Sequence, residues 1–285
     1  METVLALAAA ALYGSADFLG GTASRRASVF AVLAVTAPAG AVVMLVAAGV
    51  SGGLGSGGSG LTSAGVGWAA AAGTCGALGL IAFYAGFAAA PMSVVAPVTA
   101  LVATVLPVGS AISEGERVAP TVAVGALVCV AAVVLVSVGP SRSAGPSRQL
   151  RGVCYALAAG VAFGLFFIFL RNAGTSGVIW PVALSRTAGA VIALACCAVT
   201  RTRPLGRSGG QTLGIALASG AVDASANVCY VLATRAGLFG LAVVLTSLYP
   251  GVTVVLARIV LGERMLWMQR LGLLLAAAGV ILVTV

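Results

Sequence analysis

The chain has 285 residues, of which 61% are apolar and 7% charged, with a net charge of +9. Soluble domains carry about 25% charged residues, so a water-facing globule is excluded, and the apolar excess is more than one core can bury. All 15 basic residues are arginines, spread along the chain and not clustered, most of them at the ends of apolar runs. That is the pattern of headgroup contacts and not of a nucleic-acid surface.

Ten apolar segments are long enough to cross a bilayer core of about 30 Å, which takes roughly 20 helical residues. They are Thr3–Gly20, Val29–Val50, Ala64–Ala89, Met92–Ser113, Pro120–Val138, Gly152–Leu170, Val178–Val199, Gln211–Thr234, Leu238–Val260 and Trp267–Val285. Lipid offers no partner to unpaired backbone groups, so all ten are predicted as helices. The N-terminus opens Met1-Glu2 with no basic stretch and reads as the first span, not as a cleaved signal.

Ionisable residues at membrane depth are costly and point to function, and four occur here: Asp17, Arg186, Asp223 and Arg258. In the first span Asp17 shares a face with Tyr13; it either lines a cavity or pairs with Arg25 or Arg26. Between spans 2 and 3 the run from Ser51 to Gly60 is glycine and serine with one leucine, a flexible tether. Spans 3 and 4 contribute Tyr84, Ser93 and Thr99 as polar groups. The stretch Pro140–Arg151, with two prolines and three arginines, is the expected linker between halves. Phe163 and Phe167, at i and i+4 in span 6, form an apolar wall or ordinary packing.

Arg186, beside Ser185 and Thr187 in span 7, either neutralises a buried carboxylate or binds an anionic group. Asp223 lies 12 residues past Gln211, about 18 Å along a helix and so near the midplane. Asn227 and Tyr230 follow on the same face at i+4 and i+7. The stripe reads as a cavity wall with a carboxylate suited to reversible protonation, or as a structural bond to a neighbouring helix. In span 9, Thr246, Tyr249 and Thr253 share a face. Arg258, one turn from its end, is placed to snorkel to the headgroups. Pro97 and Pro107 in span 4 and Pro250 in span 9 are expected to break the backbone ladder in corresponding helices.

The six cysteines lie in apolar runs without metal-ligand spacing and read as small packing residues. Histidine is absent, which removes the usual general base, and the chain has no lysine, so no phosphate-binding loop ending in Gly-Lys-Ser/Thr exists. No metal or cofactor is expected, nor is an enzyme. Any transport would be secondary, driven by protons or exchange.

The two halves repeat. An offset of 147 (263 − 116) lays Gly262-Glu263-Arg264 on Gly115-Glu116-Arg117, Thr246 on Thr99, Leu248 on Leu101 and Gly272 on Gly125. Five spans per half is odd, so the second half is expected upside down relative to the first. Inverted repeats of this kind carry alternating-access transport, with the site between halves near the midplane. The expected fold is an all-α polytopic membrane protein of ten helices in two inverted five-helix repeats, over residues 1–139 and 152–285, joined by 140–151. Glu116 and Glu263 are expected to cap or tether the final helix of each half.

Val244-Leu245-Thr246-Ser247-Leu248-Tyr249-Pro250, then Leu261-Gly262-Glu263-Arg264 and Gly279-Val280-Ile281-Leu282-Val283, resemble the EamA family of the drug/metabolite transporter superfamily. The first half repeats the pattern with Val95-Ala96-Pro97-Val98-Thr99-Ala100-Leu101 and Gly115-Glu116-Arg117. Tyr13-Gly14-Ser15-Ala16-Asp17-Phe18-Leu19-Gly20 resembles the family's first helix, with Tyr13 where tryptophan is usual. The resemblance implies a central cavity lined by helices 1, 3, 4, 6, 8 and 9, with helix 7 peripheral, and export of amino acids or related metabolites. Asp223, Asn227, Tyr230, Tyr13, Asp17, Tyr84, Thr99, Thr246 and Tyr249 are then the candidate contacts for substrate or coupling ion.

The expected partners are a small-molecule substrate, protons and the lipid bilayer of the cell membrane; nucleic acid is not among them, and a monomer suffices. Two other readings remain: proton-coupled efflux of cationic or lipophilic compounds, and a non-transporting membrane scaffold. Orientation draws opposed expectations. Odd-numbered loops hold ten arginines and even-numbered loops three, which places the odd loops in the cytoplasm and both termini outside. The family resemblance implies cytoplasmic termini.

Overall fold

The computed structural model describes residues 1–50, 62–90, 92–115, 120–137, 146–173, 178–202, 210–261 and 267–284. Regular structure among them is helical throughout: α1 (Glu2–Ser24), α2 (Val29–Val50), α3 (Ser63–Ala89), α4 (Met92–Ser113), α5 (Pro120–Ser137), α6 (Pro146–Ala173), α7 (Ile179–Val199), α8 (Gly210–Ala236), α9 (Phe239–Thr246), α10 (Tyr249–Leu261) and α11 (Trp267–Thr284). Seven stretches among the described residues are long and apolar enough to cross a membrane: α1, α2, α3, Leu150–Ala173 of α6, α7, α8, and Phe239–Val260 spanning α9 and α10. Shorter apolar stretches lie in α4 and α5, at Val98–Ser113 and Ala123–Ala132. Side chains such as Val46, Leu127, Val191 and Leu274 are exposed, as a lipid-facing surface requires. The chain is a multi-pass integral membrane protein.

Two expectations about helix limits are corrected. The linker expected over 140–151 is helical from Pro146 onward, because proline suits the first helical position, where its missing N–H is no loss. The ninth span is not continuous but breaks between Thr246 and Tyr249. Pro250 cannot donate to the carbonyl four residues back, that of Thr246, and its ring crowds that turn. The chain tightens there into i→i−3 bonds, from Leu248 N to Leu245 O at 3.2 Å and from Gly251 N to Leu248 O at 2.9 Å. Its counterpart α4 runs unbroken past Pro97 and Pro107, so the prolines break one half only. The Gly-Glu-Arg pair at 115–117 and 262–264, the capping expected of Glu116 and Glu263, and the glycine tether lie wholly or mostly outside the described residues.

Helices pack chiefly on the opposite half. α1 lies along α8 and α3 along α6, α2 pairs with α7 and α5 with α11, while α4 rests on α6 and α10 on α1. Several crossings are close enough to exclude a side chain, and two of them bring backbones together between α3 and α7 and between α2 and α8. A Cβ at Gly73 of α3 would run into the Ser185 carbonyl of α7, and one at Gly220 of α8 would run into the Thr36 carbonyl of α2. Gly73 and Gly220 are 147 positions apart (220 − 73), the offset that lays Gly262-Glu263-Arg264 on Gly115-Glu116-Arg117 in the sequence. On the facing helices, Gly189 would meet the Gly73 carbonyl at 3.2 Å and Gly40 the Gly220 carbonyl at 2.9 Å. Such backbone-to-backbone approach is how membrane helices gain packing where lipid gives no hydrophobic drive.

Candidate functional site

Between these helices lies a cavity of about 790 Å³, counted out to its opening. Tyr13 and Asp17 of α1, Ser185 and Arg186 of α7, Asp223 of α8 and Tyr249 of α10 supply its polar lining, and Phe163, Phe166 and Phe167 of α6 an aromatic side. A smaller compartment of about 300 Å³ adjoins it and shares Asp17, Arg186 and Asp223. Thr36, Tyr84, Ser219 and Gly220 complete its wall.

The charged groups meet here. Arg186 Nη1 donates to Asp223 Oδ2 in an ion pair between α7 and α8. The two side chains are 14% and 20% exposed, so the pair sits largely out of water and is weakly screened. Arg186 Nε has no hydrogen-bond partner, and the guanidinium carbon lies 6.0 Å from the Phe166 ring centre. Asp17 borders both compartments, and among the described residues its side chain makes neither a hydrogen bond nor an ion pair. Arg26, one of its expected partners, instead donates to Gln211 Oε1 at 3.1 Å.

The stripe on α8 divides by depth. Asp223 reaches the cavity, while Asn227 and Tyr230 are fully buried behind it. Asn227 Oδ1 accepts from the Tyr13 hydroxyl at 2.8 Å, and its Nδ2 donates to the Asp223 carbonyl at 2.6 Å. The Tyr230 hydroxyl donates to the Phe167 carbonyl at 3.4 Å, and its ring lies 4.7 Å from that of Phe167. These bonds fix the helix that carries Asp223 against α1 and α6. Tyr84 borders the smaller compartment together with Ser219, whose Oγ donates to the Ala16 carbonyl at 2.9 Å.

Thr99 and Thr246 stand apart from the cavity lining. Thr99 Oγ1 donates to the Ala156 carbonyl at 3.1 Å and Thr246 Oγ1 to the Ala6 carbonyl at 3.5 Å. Each thus ties its helix to the first helix of the opposite half. Thr253 donates to the Gly14 carbonyl at 3.0 Å and back to Tyr249 at 3.2 Å.

The walls contributed by α2 and α7 were not anticipated from the sequence, which put helix 7 at the periphery and helix 4 on the cavity. Leu33 and Ala37 of α2 line it, together with Gly189 and Ala193 of α7. The available signals were slight: Thr36 as the one polar side chain of α2, and Arg186 between two hydroxyl residues.

At one end of the bundle, Arg171 Nη1 pairs with Glu114 Oε2 at 2.6 Å, and its guanidinium carbon lies 4.2 Å from the Phe239 ring centre. The Arg171 hydrogen bond, followed by one from Ser110, holds the Glu114 carboxyl below its ordinary value of 4.5.

A helical bundle with paired charges in a chamber between its halves defines a polytopic membrane protein built around a solute-sized space. Residues 150–285 match the model of the EamA-like transporter family. A solved structure, titled only "Crystal structure of protein", is similar with a TM-score of 0.76 at 20% identity, over 99% of this chain and 96% of that one. At that identity the likeness speaks for the fold. No curated protein matches the chain.

Proposed function

We propose that the protein is a secondary transporter that exports a small amino-acid-like metabolite by alternating access, coupled to protons or to exchange. The single observation that carries the substrate class is the charge arrangement in the cavity. Arg186 keeps an unpartnered Nε for a carboxylate, and Asp17, without an ion-pair partner, borders the same space for an ammonium. The aromatic side formed by Phe163, Phe166 and Phe167 suits an apolar side chain.

Ten spans in two inverted units are part of this proposal. The equivalent crossings at Gly73 and Gly220 support it. So do the equivalent hydrogen bonds of Thr99 and Thr246, each reaching the first helix of the other half. Asp17, Asp223, Tyr13 and Tyr249 are the proposed contacts for substrate or coupling ion, with Asn227 and Tyr230 holding Asp223 in place and Tyr84 bordering the smaller compartment. Thr99 and Thr246 are assigned to joining the halves.

A second reading has its own support. Two carboxylates face one guanidinium, so the cavity carries one uncompensated negative charge when all are ionised, and a lipophilic cation would fit it. Purified protein in liposomes, assayed with a panel of radiolabelled amino acids and organic cations, separates the two. Saturable movement of zwitterionic amino acids, lost in Arg186→Gln, is the expected result. Movement of cations alone, unaffected by Arg186→Gln, replaces the first reading with the second.

A further inference from the structure

The smaller compartment adds to Asp17, Arg186 and Asp223 two hydroxyl residues, Thr36 and Ser219, that have no part in the proposed transport of an organic solute. At about 300 Å³ it has less than half the volume of the main cavity, and five side chains bring oxygen atoms to its border beside the Arg186 guanidinium. Asp17, Asp223, Thr36, Tyr84 and Ser219 all border it.

Thr36 is the informative residue. It is 5% exposed, and its Oγ1 has no hydrogen-bond partner. A hydroxyl inside a membrane helix ordinarily bonds the carbonyl one turn back. Ser15, Thr74, Thr104, Thr187 and Ser225 all do so here, at 2.7–3.0 Å. Leaving a buried hydroxyl unpaired is costly, so an oxygen held this way is available to a ligand. Ser219 spends its proton on the Ala16 carbonyl, which leaves its oxygen as an acceptor only.

The charge balance points the same way. Arg186 is committed to Asp223, and Asp17 has no ionic partner among the described residues. Two carboxylates and one guanidinium leave a single negative charge in a space bordered by hydroxyl oxygens. Hard oxygen donors with one net negative charge suit a small inorganic cation of charge +1.

We infer that the compartment bordered by Asp17, Thr36, Ser219 and Asp223 is a binding site for a monovalent inorganic cation, beside and separate from the organic solute's cavity. The bound ion neutralises Asp17 and satisfies the Thr36 hydroxyl. Because Asp17, Arg186 and Asp223 border both compartments, occupancy of one changes the field in the other, and the cation and the solute bind interdependently.

The test needs no substrate, so its failure is distinct from failure of the transport reading. Purified full-length protein in detergent is melted across a series of NaCl or KCl concentrations, with choline chloride holding ionic strength constant. Binding of 22Na+ is measured in parallel. The expected result is a saturable rise in melting temperature with sodium or potassium and none with choline. Thr36→Val and Asp17→Asn should each raise the half-saturating concentration at least tenfold, and Thr36→Ser should restore it to within threefold. Thr104→Val, an equally buried threonine bonded to its own helix, should leave it unchanged. Equal melting in sodium, potassium and choline overturns the inference. So does a Thr36→Val protein that elutes as a single species and keeps its affinity within twofold, or a site that responds to pH and to no metal cation.

Discussion

The Tyr13 hydroxyl donates to Asn227 Oδ1 across 2.8 Å, joining α1 to α8 beside the charged cavity. Asn227 spends its amide on the carbonyl of Asp223, so the position of the carboxylate is set through a residue of the opposite half. Tyr13→Phe removes the donor and strands a buried acceptor, at a cost of about 1–3 kcal/mol. The expected outcome is a lower melting temperature in detergent together with reduced transport. Tyr13→Phe with wild-type melting and transport would show the bond to be dispensable.

Asp223→Asn should abolish proton-linked transport while the protein still inserts. Removing one partner of a buried pair costs about 3–5 kcal/mol, and exposures of 14% and 20% put the expected loss at the lower end. Adding Arg186→Gln removes the stranded charge, so the double variant should recover stability and not transport. Full, still pH-dependent transport by Asp223→Asn in liposomes would sink the assignment.

How much of this was legible in sequence depends on what kind of signal each residue gives. Spans announce themselves by apolar length, whereas the close crossings at Gly73 and Gly220 carry no signal that sets them apart from the chain's other glycines. Asp223 stood out because a carboxylate in lipid is costly wherever it falls. Thr246 was equally visible, but a hydroxyl can serve its own helix, a neighbouring helix or a solute, and only the bond to Ala6 distinguishes these. The cavity role of α7 was hidden for a related reason. Pairing Arg186 with Asp223 requires knowing that two helices 37 residues apart in sequence at those positions lie side by side, and periodicity within one helix carries no such information.

Gly220→Ala should push α2 and α8 apart at the Thr36 carbonyl, and Gly73→Ala should do the same to α3 and α7 at Ser185. Overpacking of this kind costs about 1–3 kcal/mol. Equivalence of the two crossings predicts similar losses of melting temperature from the two variants. A loss from one and none from the other would argue against the symmetry.

The Glu114–Arg171 pair has a predictable acid response. The folded-state value of Glu114 lies below 4.5, so its stabilisation is present above that ordinary value and is lost as pH falls through the folded one. The carboxylate side chain is 49% exposed, which limits the effect to about 0–1 kcal/mol. Glu114→Gln should lower the melting temperature slightly at pH 7 and converge with wild type in acid. A constant difference across pH 3–7 would remove Glu114 as the source.

Orientation follows from the arginines. The odd loops, richer in arginine, are expected in the cytoplasm, with both termini outside. Ser143→Cys in a cysteine-free background should resist an impermeant thiol reagent in intact cells and react after lysis. Labelling of intact cells would reverse the topology.

The separation of Arg186 from Asp223 by 37 residues also sets an order of events at birth. A ribosome adding about 5–20 residues per second delivers the aspartate roughly 2–7 s after the arginine. During that interval α7 must be held near the insertion machinery or in lipid with a cation that costs about 2.5–3.5 kcal/mol at the centre of a span. Asp17, synthesised earlier, borders the same cavity as Arg186, and Asp17→Asn is expected to slow the insertion of α7.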